Sequence, residues 1–493
     1  MRRRLVAVWL LGVACASAPS AEPPTKPPPA RAATSTASLV VPASESWRAT
    51  APAPGELKTG PAAARFTLEN GLTVIVLPKS TMPVFQAAVV TRAGSAIEPK
   101  ERAGLAYLAH AMLRDGSGIR DAGEFEQGLK DLGAEMMTYV DQDGGIVSVR
   151  GVARHAEQIL ELLSDAVARP ELPKAALEFR VRAELAALAR RRTDSFHAAR
   201  SRLAMAIHGA SSPLSRPVSG TTGSLALIKR KDVKEFYERE IVPEASALVI
   251  GGAVDVPQAR AFAERFFARW IGSGESRPRK PAPAKAPSRS VTVVHRQNAS
   301  QSLICLGRTL VPAGHADELP LEVAASILGG SFGSRLSTNL REGKGYTYGV
   351  NGAFETHAFG GEFVVCTSVK SEHTPKALEQ IVAEISGMSS RPPGDDEVKV
   401  AARALAGASA APWMTVGGAI ESTARAFASR RPEAYSAQRA RDLVAISPER
   451  VREAAASYFA PESWQFVLTG DARTLTAVVE KSGLPSPNVV MAQ

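Results

Sequence analysis

The stretch GLAYLAHAML, from Gly104 to Leu113, decides the interpretation of the first half of this chain. Its apolar residues recur at the spacing of one face of an α-helix. They are Leu105, Leu108, Met112 and Leu113. Upstream, Val84–Val90 has the composition of a β-strand, and a turn-like RAGSAIEP at 92–99 separates it from the helical stretch. The sequence therefore predicts a strand, a turn and an amphipathic helix, in that order.

A second informative stretch, LGGSFGSRLSTNLREGKGYTYGV, occupies residues 328–350. A Gly/Ser-rich loop precedes a helical segment, and a Gly-x-x-Tyr element precedes a strand. Arg341 and Tyr348 are seven residues apart in it. An arginine can donate several hydrogen bonds to a peptide carbonyl, and a tyrosine hydroxyl can stabilise a developing oxyanion. The spacing alone favours the alternative, an arginine in an ion pair and a tyrosine packed at a strand start. The functional interpretation, which we favour, rests on the resemblance of the whole stretch to a family motif.

The first stretch resembles the zinc-site helix of the pitrilysin/insulinase (M16) peptidases, and the second resembles the C-terminal-domain motif of that family. In the family the helix carries an inverted H-x-x-E-H signature, in which two histidines bind zinc and the glutamate is the general base. At these positions this chain has Tyr107, His110 and Ala111. The resemblance therefore implies a degenerate zinc site in a retained fold.

The resemblance places the third zinc ligand on a later helix, where Glu184 is the best match. A single glutamate on a helix is usually solvated, and a catalytic zinc site needs about three protein ligands. His110 could bind a metal with Glu184, but Tyr107 is a poor ligand and Ala111 offers none. We therefore expect no metal site on this chain. Four other histidines have no partner at a spacing typical of metal ligands. They are His155, His197, His208 and His295.

A degenerate zinc helix with a retained Arg341 and Tyr348 resembles one member of the two-chain bacterial M16 peptidases. There one chain holds zinc, and the other supplies the arginine and tyrosine that reach the peptide near the scissile bond. The resemblance implies a non-catalytic, peptide-binding subunit with no cofactor of its own and a zinc-bearing M16 partner. Peptides are expected to add as a strand at a sheet edge near Ala134–Tyr139, where backbone hydrogen bonds are largely indifferent to sequence.

Two alternatives stay open. One is a structural or assembly protein, as the M16-like core subunits of the respiratory bc1 complex are. The other is a peptidase with an unorthodox metal site. A neighbouring open reading frame with an intact H-x-x-E-H and a degraded arginine/tyrosine region would favour the two-chain peptidase.

The two halves of the chain look like copies of one unit. Residues 232–255 match residues 450–473 at a constant offset of 218, and the strand-like runs around Gln86 and Gln301 align at an offset of 215. Strand-like runs alternate with helical ones in each half. We therefore predict an α+β fold of two homologous domains, each a sheet covered by helices; the resemblance makes them M16/LuxS-like metallopeptidase domains.

Composition and patterning divide the chain into five segments. They are an export signal (1–16), a Pro/Ala-rich tether (17–62), an N-terminal domain (63–272), a Pro-rich linker (273–290) and a C-terminal domain (291–486). The leader has a positive start and a short apolar run, which is typical of export signals. Cys15 lies where a bacterial lipoprotein is acylated, whereas cleavage after Ala16 is the alternative. We expect a periplasmic protein or a membrane-anchored lipoprotein.

The net charge of +10 is spread over 493 residues. Its densest part is a helical segment whose arginines are interpreted as a solvated face rather than a nucleic-acid site. They are Arg180, Arg182, Arg190, Arg191 and Arg192.

Cys305 and Cys366 lie in strand-like runs. A disulfide is permitted outside the cytoplasm, but we expect buried free thiols because a chain of this size does not depend on cross-links.

Overall fold

The computed structural model describes residues 63–79, 81–272, 288–432 and 434–491. The predicted export signal, Cys15 and the tether lie outside the described residues, as does most of the predicted linker. Within the described ranges, no helix has the length and apolar character needed to cross a membrane.

Twelve strands in these ranges form two six-stranded sheets. They are β1 Ala64–Thr67, β2 Thr73–Pro78, β3 Val84–Thr91, β4 Glu135–Val140, β5 Gly145–Val152, β6 Ser246–Gly252, β7 Ser290–His295, β8 Gln301–Leu310, β9 Val350–His357, β10 Gly360–Lys370, β11 Gln465–Gly470 and β12 Asn488–Met491. The first-half helices are α1 Leu105–Ala111, α2 Ala122–Asp131, α3 Ala156–Ala168, α4 Lys174–Arg191, α5 Ser195–His208, α6 Thr222–Leu227, α7 Arg230–Glu240 and α8 Val256–Phe267. Those of the second half are α9 Glu318–Ala325, α10 Arg335–Ser337, α11 Thr374–Ser390, α12 Asp395–Ala410, α13 Val416–Ala428, α14 Tyr435–Ala445, α15 Pro448–Tyr458 and α16 Ala472–Lys481.

The strand orders confirm the internal duplication. The first sheet runs β1-β2-β6-β3-β5-β4 and the second β12-β7-β11-β8-β10-β9. From the second position onward the strands follow one another in the same chain order in both sheets. The outermost strands differ, since β1 pairs antiparallel with β2 whereas β12 pairs parallel with β7. Each half is thus a mixed sheet with helices, as predicted, although β12 adds a strand beyond residue 486.

Each sheet is covered on one face by helices of its own half and on the other by a helix from the opposite half. In β3, Phe85 and Val89 join the core beneath the first-half helices, while Ala88 and Val90 pack with α13 from the second half. The second sheet receives α5 from the first half in the same way. Side chains alternate between the two faces of a strand, so one strand can serve both cores. This exchange of helices joins the two halves.

β1 and β2 form an antiparallel hairpin at the start of the described chain. Its turn contains Asn70 and Gly71, and Gly71 has a φ of 86°, a conformation that favours glycine. Asn70 donates hydrogen bonds from Nδ2 to the carbonyl oxygens of Phe267 (2.8 Å) and Trp270 (2.9 Å), which fixes the turn against the end of α8.

The expectation of free thiols was wrong, because Cys305 and Cys366 form a disulfide. The two residues lie directly opposite each other in the antiparallel pair of β8 and β10. Both side chains are directed to the face covered by α5 and are buried there. Strand-like composition does not reveal which residues of two strands stand opposite each other, so the sequence could not supply this pairing.

A buried charge cluster crosses between the halves. Glu362 on β10 accepts a hydrogen bond from Arg200 Nη2 (2.7 Å), and its other oxygen lies 2.8 Å from His208 Nε2. Both partners lie on α5. Burial alone would raise the pKa of Glu362, but the hydrogen bond with His208 and the charge of Arg200 lower this pKa to about 2. The cluster therefore stabilises the contact between α5 and the second sheet while Glu362 is ionised.

We expect a part of the stability of this protein to disappear in acid because of Glu362. A carboxylate whose folded-state pKa lies below its unfolded value contributes stability above the unfolded value and loses it as the pH falls toward the folded one. For Glu362 this window runs from about 4.5 down to about 2, and the contribution is on the order of 3 kcal/mol. Unfolding by urea across this pH range should show a shallower loss of stability in Glu362→Gln than in the unmodified chain. Equal pH dependence of the two proteins would contradict this assignment.

Candidate functional site

Helix α1 carries the three positions at which the M16 signature would place its zinc chemistry. It begins after Gly104, and the four predicted apolar residues of its face are buried, two of them in a short 3-10 turn that continues it. Glu98, which lies in the predicted turn at 92–99, holds the first turn of this helix. One Glu98 oxygen accepts the N–H of Gly104 (3.0 Å) and the other accepts the N–H of Ala106 (2.9 Å).

His110, at the position of the general base, is fully buried and both of its ring nitrogens are engaged. Nδ1 donates to the Ala106 carbonyl (2.9 Å), so Nε2 accepts from the Thr91 hydroxyl (2.8 Å). Burial lowers the pKa of His110 to about 4, and the Ala106 hydrogen bond offsets only part of that effect. Gly145 makes room for the ring, because a Cβ at this residue would stand 2.1 Å from Nε2. His110 is therefore a neutral structural residue.

The remaining positions of the signature offer no zinc site. Ala111 has no ligating atom, and Tyr107 is half-buried against the core of the first half. Glu184 on α4, which was expected to be solvated, is instead buried, and its Oε1 accepts a hydrogen bond from Arg191 Nη1 (3.0 Å). Within the described ranges, no group of three His, Cys, Asp or Glu side chains is arranged to hold a metal ion. These residues do not fit the zinc that the signature would require.

Arg341 lies on a π-helical turn, Thr338–Gly343, which continues α10. The rest of the motif is firmly tied to the second half. Arg335 on α10 makes a two-pronged ion pair with Glu397, both contacts being 2.7 Å, and Asn339 donates to Glu384 (2.7 Å). The guanidinium of Arg341, by contrast, has no hydrogen-bond or ion-pair partner among the described residues. One arginine of the motif is therefore structural and the other has its donors free.

Tyr348 stands in the loop between this turn and β9, and its neighbours fix the loop. The Thr367 hydroxyl on β10 lies 2.9 Å from both the Thr347 hydroxyl and the Gly349 carbonyl oxygen. On the other side of Tyr348, the ring of Tyr346 stacks on that of His373 with a centroid distance of 5.0 Å. The backbone on both sides of Tyr348 is thus held while its own side chain is not.

The side chain of Tyr348 is 99% exposed. Phe332, in the Gly/Ser-rich loop, is 71% exposed, and the guanidinium of Arg341 stacks over its ring at 4.2 Å. Large exposed aromatic side chains next to an unpaired cation are a feature of binding surfaces. Phe332 was visible in the sequence as the one large apolar residue of a glycine-rich loop, but it was not singled out.

The predicted peptide edge at Ala134–Tyr139 overlaps β4, the outermost strand of the first sheet, which among the described strands pairs only with β5. Met137 and Tyr139 on β4 are 52% and 44% exposed. An edge strand has one row of backbone groups available to an added strand. No described hydrogen bond or ion pair joins Arg341 or Tyr348 to α1 or β4, so this chain does not assemble its candidate residues into one site through such contacts.

The arginines of the basic segment are placed mostly on a solvated helix face, as expected. Arg182, Arg190 and Arg192 are exposed, whereas Arg180 is half-buried in an ion pair with Asp115.

Comparison with known proteins agrees with the two-domain architecture. Residues 74–218 match the family model described as insulinase (peptidase family M16), and residues 228–405 match that described as the peptidase M16 inactive domain. A protein of Mycobacterium leprae named as an uncharacterized zinc protease is 23% identical over 66% of this chain and 73% of its own length. Subunit 1 of the mitochondrial cytochrome b-c1 complex of Caenorhabditis elegans is 25% identical over 43% of this chain and 44% of its own length.

Solved structures show the same fold. A peptidase M16 inactive domain from Pseudomonas fluorescens superposes with a TM-score of 0.77 at 22% identity, covering 84% of this chain and 99% of that one. The first half of a periplasmic protease from Escherichia coli superposes with a TM-score of 0.70 at 14% identity, covering 87% of this chain and 95% of that one. The two matched family models together span more than half of the sequence. The chain belongs to the M16 peptidase family.

Proposed function

We propose that this chain is the non-catalytic, peptide-binding subunit of an exported two-chain M16 zinc peptidase. Its role is to supply Arg341 and Tyr348 to the zinc site of a partner chain. The observation that carries the proposal is the contrast within one motif. Arg335 and Asn339 are tied into the fold, whereas Arg341 and the 99% exposed Tyr348 have functional groups without a partner in the described ranges.

The chemistry assigned to this chain is binding and electrostatic stabilisation. Arg341 would donate hydrogen bonds to a carbonyl of the bound peptide, and the Tyr348 hydroxyl would donate to the carbonyl oxygen that gains negative charge during cleavage. Hydrogen-bond donors that are already in place where charge develops stabilise the transition state more than they stabilise the bound peptide. The anchoring of the loop by Thr367 and Tyr346 supports this role, because it fixes the backbone that carries Tyr348.

The peptide itself would lie along the free edge of β4 as an added strand, which places few demands on its sequence.

Secretion is proposed from the leader, and it agrees with the periplasmic location named for the Escherichia coli relative. The membrane would be reached only through an acylated Cys15, and a stable anchor would need more than one acyl chain.

The proposal predicts that the purified chain alone binds no stoichiometric zinc and cleaves no peptide. The reason is that the signature positions hold Tyr107, His110 and Ala111, and that the nitrogens of His110 are already hydrogen-bonded. Elemental analysis and a peptide-cleavage assay on the chain alone, and then with a zinc-bearing M16 chain of the same organism, provide the test. Cleavage should require both chains. About one zinc per chain, together with chelator-sensitive cleavage by this chain alone, would overturn the proposal.

A second candidate function is a structural or assembly role without peptide cleavage. The similarity to subunit 1 of the cytochrome b-c1 complex favours it, because that protein is named as a component of an assembly. The two candidates differ in what they require of Tyr348. A structural subunit has no need of a free tyrosine hydroxyl, so its complex should be indifferent to the loss of this group.

A further inference from the structure

An open groove of about 670 Å³ lies where the two halves of the chain meet, and among the described residues that line it none belongs to the arginine/tyrosine motif at 328–350. The first half contributes Arg192 from the link between α4 and α5, and Ser195 from the start of α5. The second half contributes His295 at the end of β7, and Arg296 and Ser300 from the connection between β7 and β8. Among the described residues that line the groove, none carries a carboxylate. The lining is therefore rich in hydrogen-bond donors and basic groups.

The donors of this groove are placed by contacts outside it. Arg296 donates from Nη2 to the carbonyl oxygen of Thr193 (2.8 Å), which joins the two halves across the groove, and its Nε is buried without a partner. His295 accepts the N–H of Ala472 at Nδ1 (3.1 Å). A neutral imidazole carries only one proton, so the N–H of His295 is on Nε2. Arg192 is exposed and has no hydrogen-bond or ion-pair partner in the described part of the chain.

Two carboxylates lie next to the groove and would oppose an anion. Asp194 accepts the N–H of Phe196 (2.9 Å) at the start of α5. Asp471 accepts the N–H groups of Arg473 (3.0 Å) and Asn298 (3.4 Å) at the start of α16. Both carboxylates thus cap backbone donors. They keep their negative charge but do not line the groove, so the charged groups of its described lining are the guanidiniums of Arg192 and Arg296.

We propose that this groove binds a phosphate-type oxyanion, either as a free anion or as the headgroup of an anionic lipid. Arginine presents several N–H donors in a planar fork that suits the oxygens of phosphate. Here two arginines, a histidine N–H and serine hydroxyls come from both halves and surround one open space. A tetrahedral oxyanion can accept hydrogen bonds from several directions at once, so it would link the two halves. This site is independent of Arg341 and Tyr348.

The test is a calorimetric titration of the full-length chain with inorganic phosphate. Arg192→Gln removes a charged donor from the groove, whereas Arg190→Gln removes an exposed arginine two residues earlier, at the end of α4, that does not line it. We expect Arg192→Gln to weaken phosphate binding about tenfold, as the loss of a charge-assisted hydrogen bond does. Arg190→Gln should change it less than about twofold, because exposed charges outside the contact are screened.

A second arm separates the two sources of the anion. Full-length chain is sedimented with vesicles of phosphatidylcholine, alone or with phosphatidylglycerol, so that any contribution of an acyl anchor is common to both. If the chain binds the anionic vesicles more strongly and Arg192→Gln abolishes this difference, the ligand is a lipid headgroup. If the chain binds phosphate but shows no preference for the anionic vesicles, the ligand is a free anion. The proposal is overturned if neither ligand binds, or if Arg190→Gln weakens binding as much as Arg192→Gln.

Discussion

Replacing Tyr348 with phenylalanine is expected to lower peptide turnover by the reconstituted two-chain enzyme about 100- to 1,000-fold. This is the typical cost of losing one donor to a developing oxyanion. The substitution removes only a hydroxyl from a side chain that is 99% exposed, so folding and association should be almost unchanged. Arg341→Ala should have a similar effect on turnover, with some additional loss of peptide affinity. Peptide cleavage by the mixed chains measures both effects, and sizing chromatography measures association separately.

Arg335→Ala is the matched control within the same motif. Arg335 is held by Glu397 and does not donate to the peptide. Its loss should therefore reduce the stability of the chain and leave the turnover of the folded pair nearly unchanged. Restoring His at positions 107 and 111 and Glu at 110 should not raise the rate of the pair comparably, since the partner already holds the metal. If Tyr348→Phe and Arg341→Ala both cleave peptide at the unmodified rate, the substrate-binding role fails and the structural role takes its place.

Arg431→Met is expected to destabilise the protein by about 3–5 kcal/mol, the usual cost of removing one partner from a buried ion pair. Arg431 and Glu318 have side chains only 9% and 4% exposed. Glu318 also accepts hydrogen bonds from the Thr356 hydroxyl (2.6 Å) and the Gly314 N–H (2.8 Å). Burial alone would raise the pKa of Glu318, but Arg431, together with the hydrogen bonds from Thr356 and Gly314, more than offsets this effect and lowers the pKa. Methionine keeps an unbranched apolar stem, shorter than that of arginine, and leaves the carboxylate without its cation.

Chemical denaturation of the purified chain measures this loss. Arg452→Met is the control, because Arg452 pairs with Asp395 and Glu449 at the surface, where solvent screens such pairs. It should leave the unfolding midpoint nearly unchanged. A midpoint for Arg431→Met that matches the control would show that the buried pair contributes little to the stability of the second half.

The duplicated sheets and the helix α1 could be predicted because each depends on a local sequence pattern. The offsets of 218 and 215 residues correspond to α7–β6 against α15–β11 and to β3 against β8. Such repeats keep the strand order even where single residues have diverged, and the two sheets confirm it.

Contacts between distant segments could not be predicted in this way. The apolar spacing of Ala199, Leu203 and Ile207 on α5 indicates a buried face, but nothing in it says that this face covers the sheet of the other half. The disulfide depends on the register of β8 and β10 in the same manner. A pattern within one element reports which face is buried and not what buries it.

The sequence predicted which positions belong to the candidate site, and the structure added the burial and the contacts of each side chain. His110 was recognised as a replacement for the general base, but its hydrogen bonds to Thr91 and Ala106 needed coordinates. Glu184 was expected at the surface and is buried against Arg191. The difference between a tied Arg335 and a free Arg341 was likewise invisible, because both are arginines on one short helical segment.

The most direct measurement of the central proposal is photo-crosslinking from position 348. A photoreactive phenylalanine derivative is introduced in place of Tyr348 and, as a control, in place of Val400, an exposed residue of α12. The account predicts that position 348 captures the zinc-bearing partner or its bound peptide at residues next to the metal ligands, and that position 400 does not. An intact two-chain complex in which position 348 captures neither the peptide nor any residue near the partner's metal would contradict it.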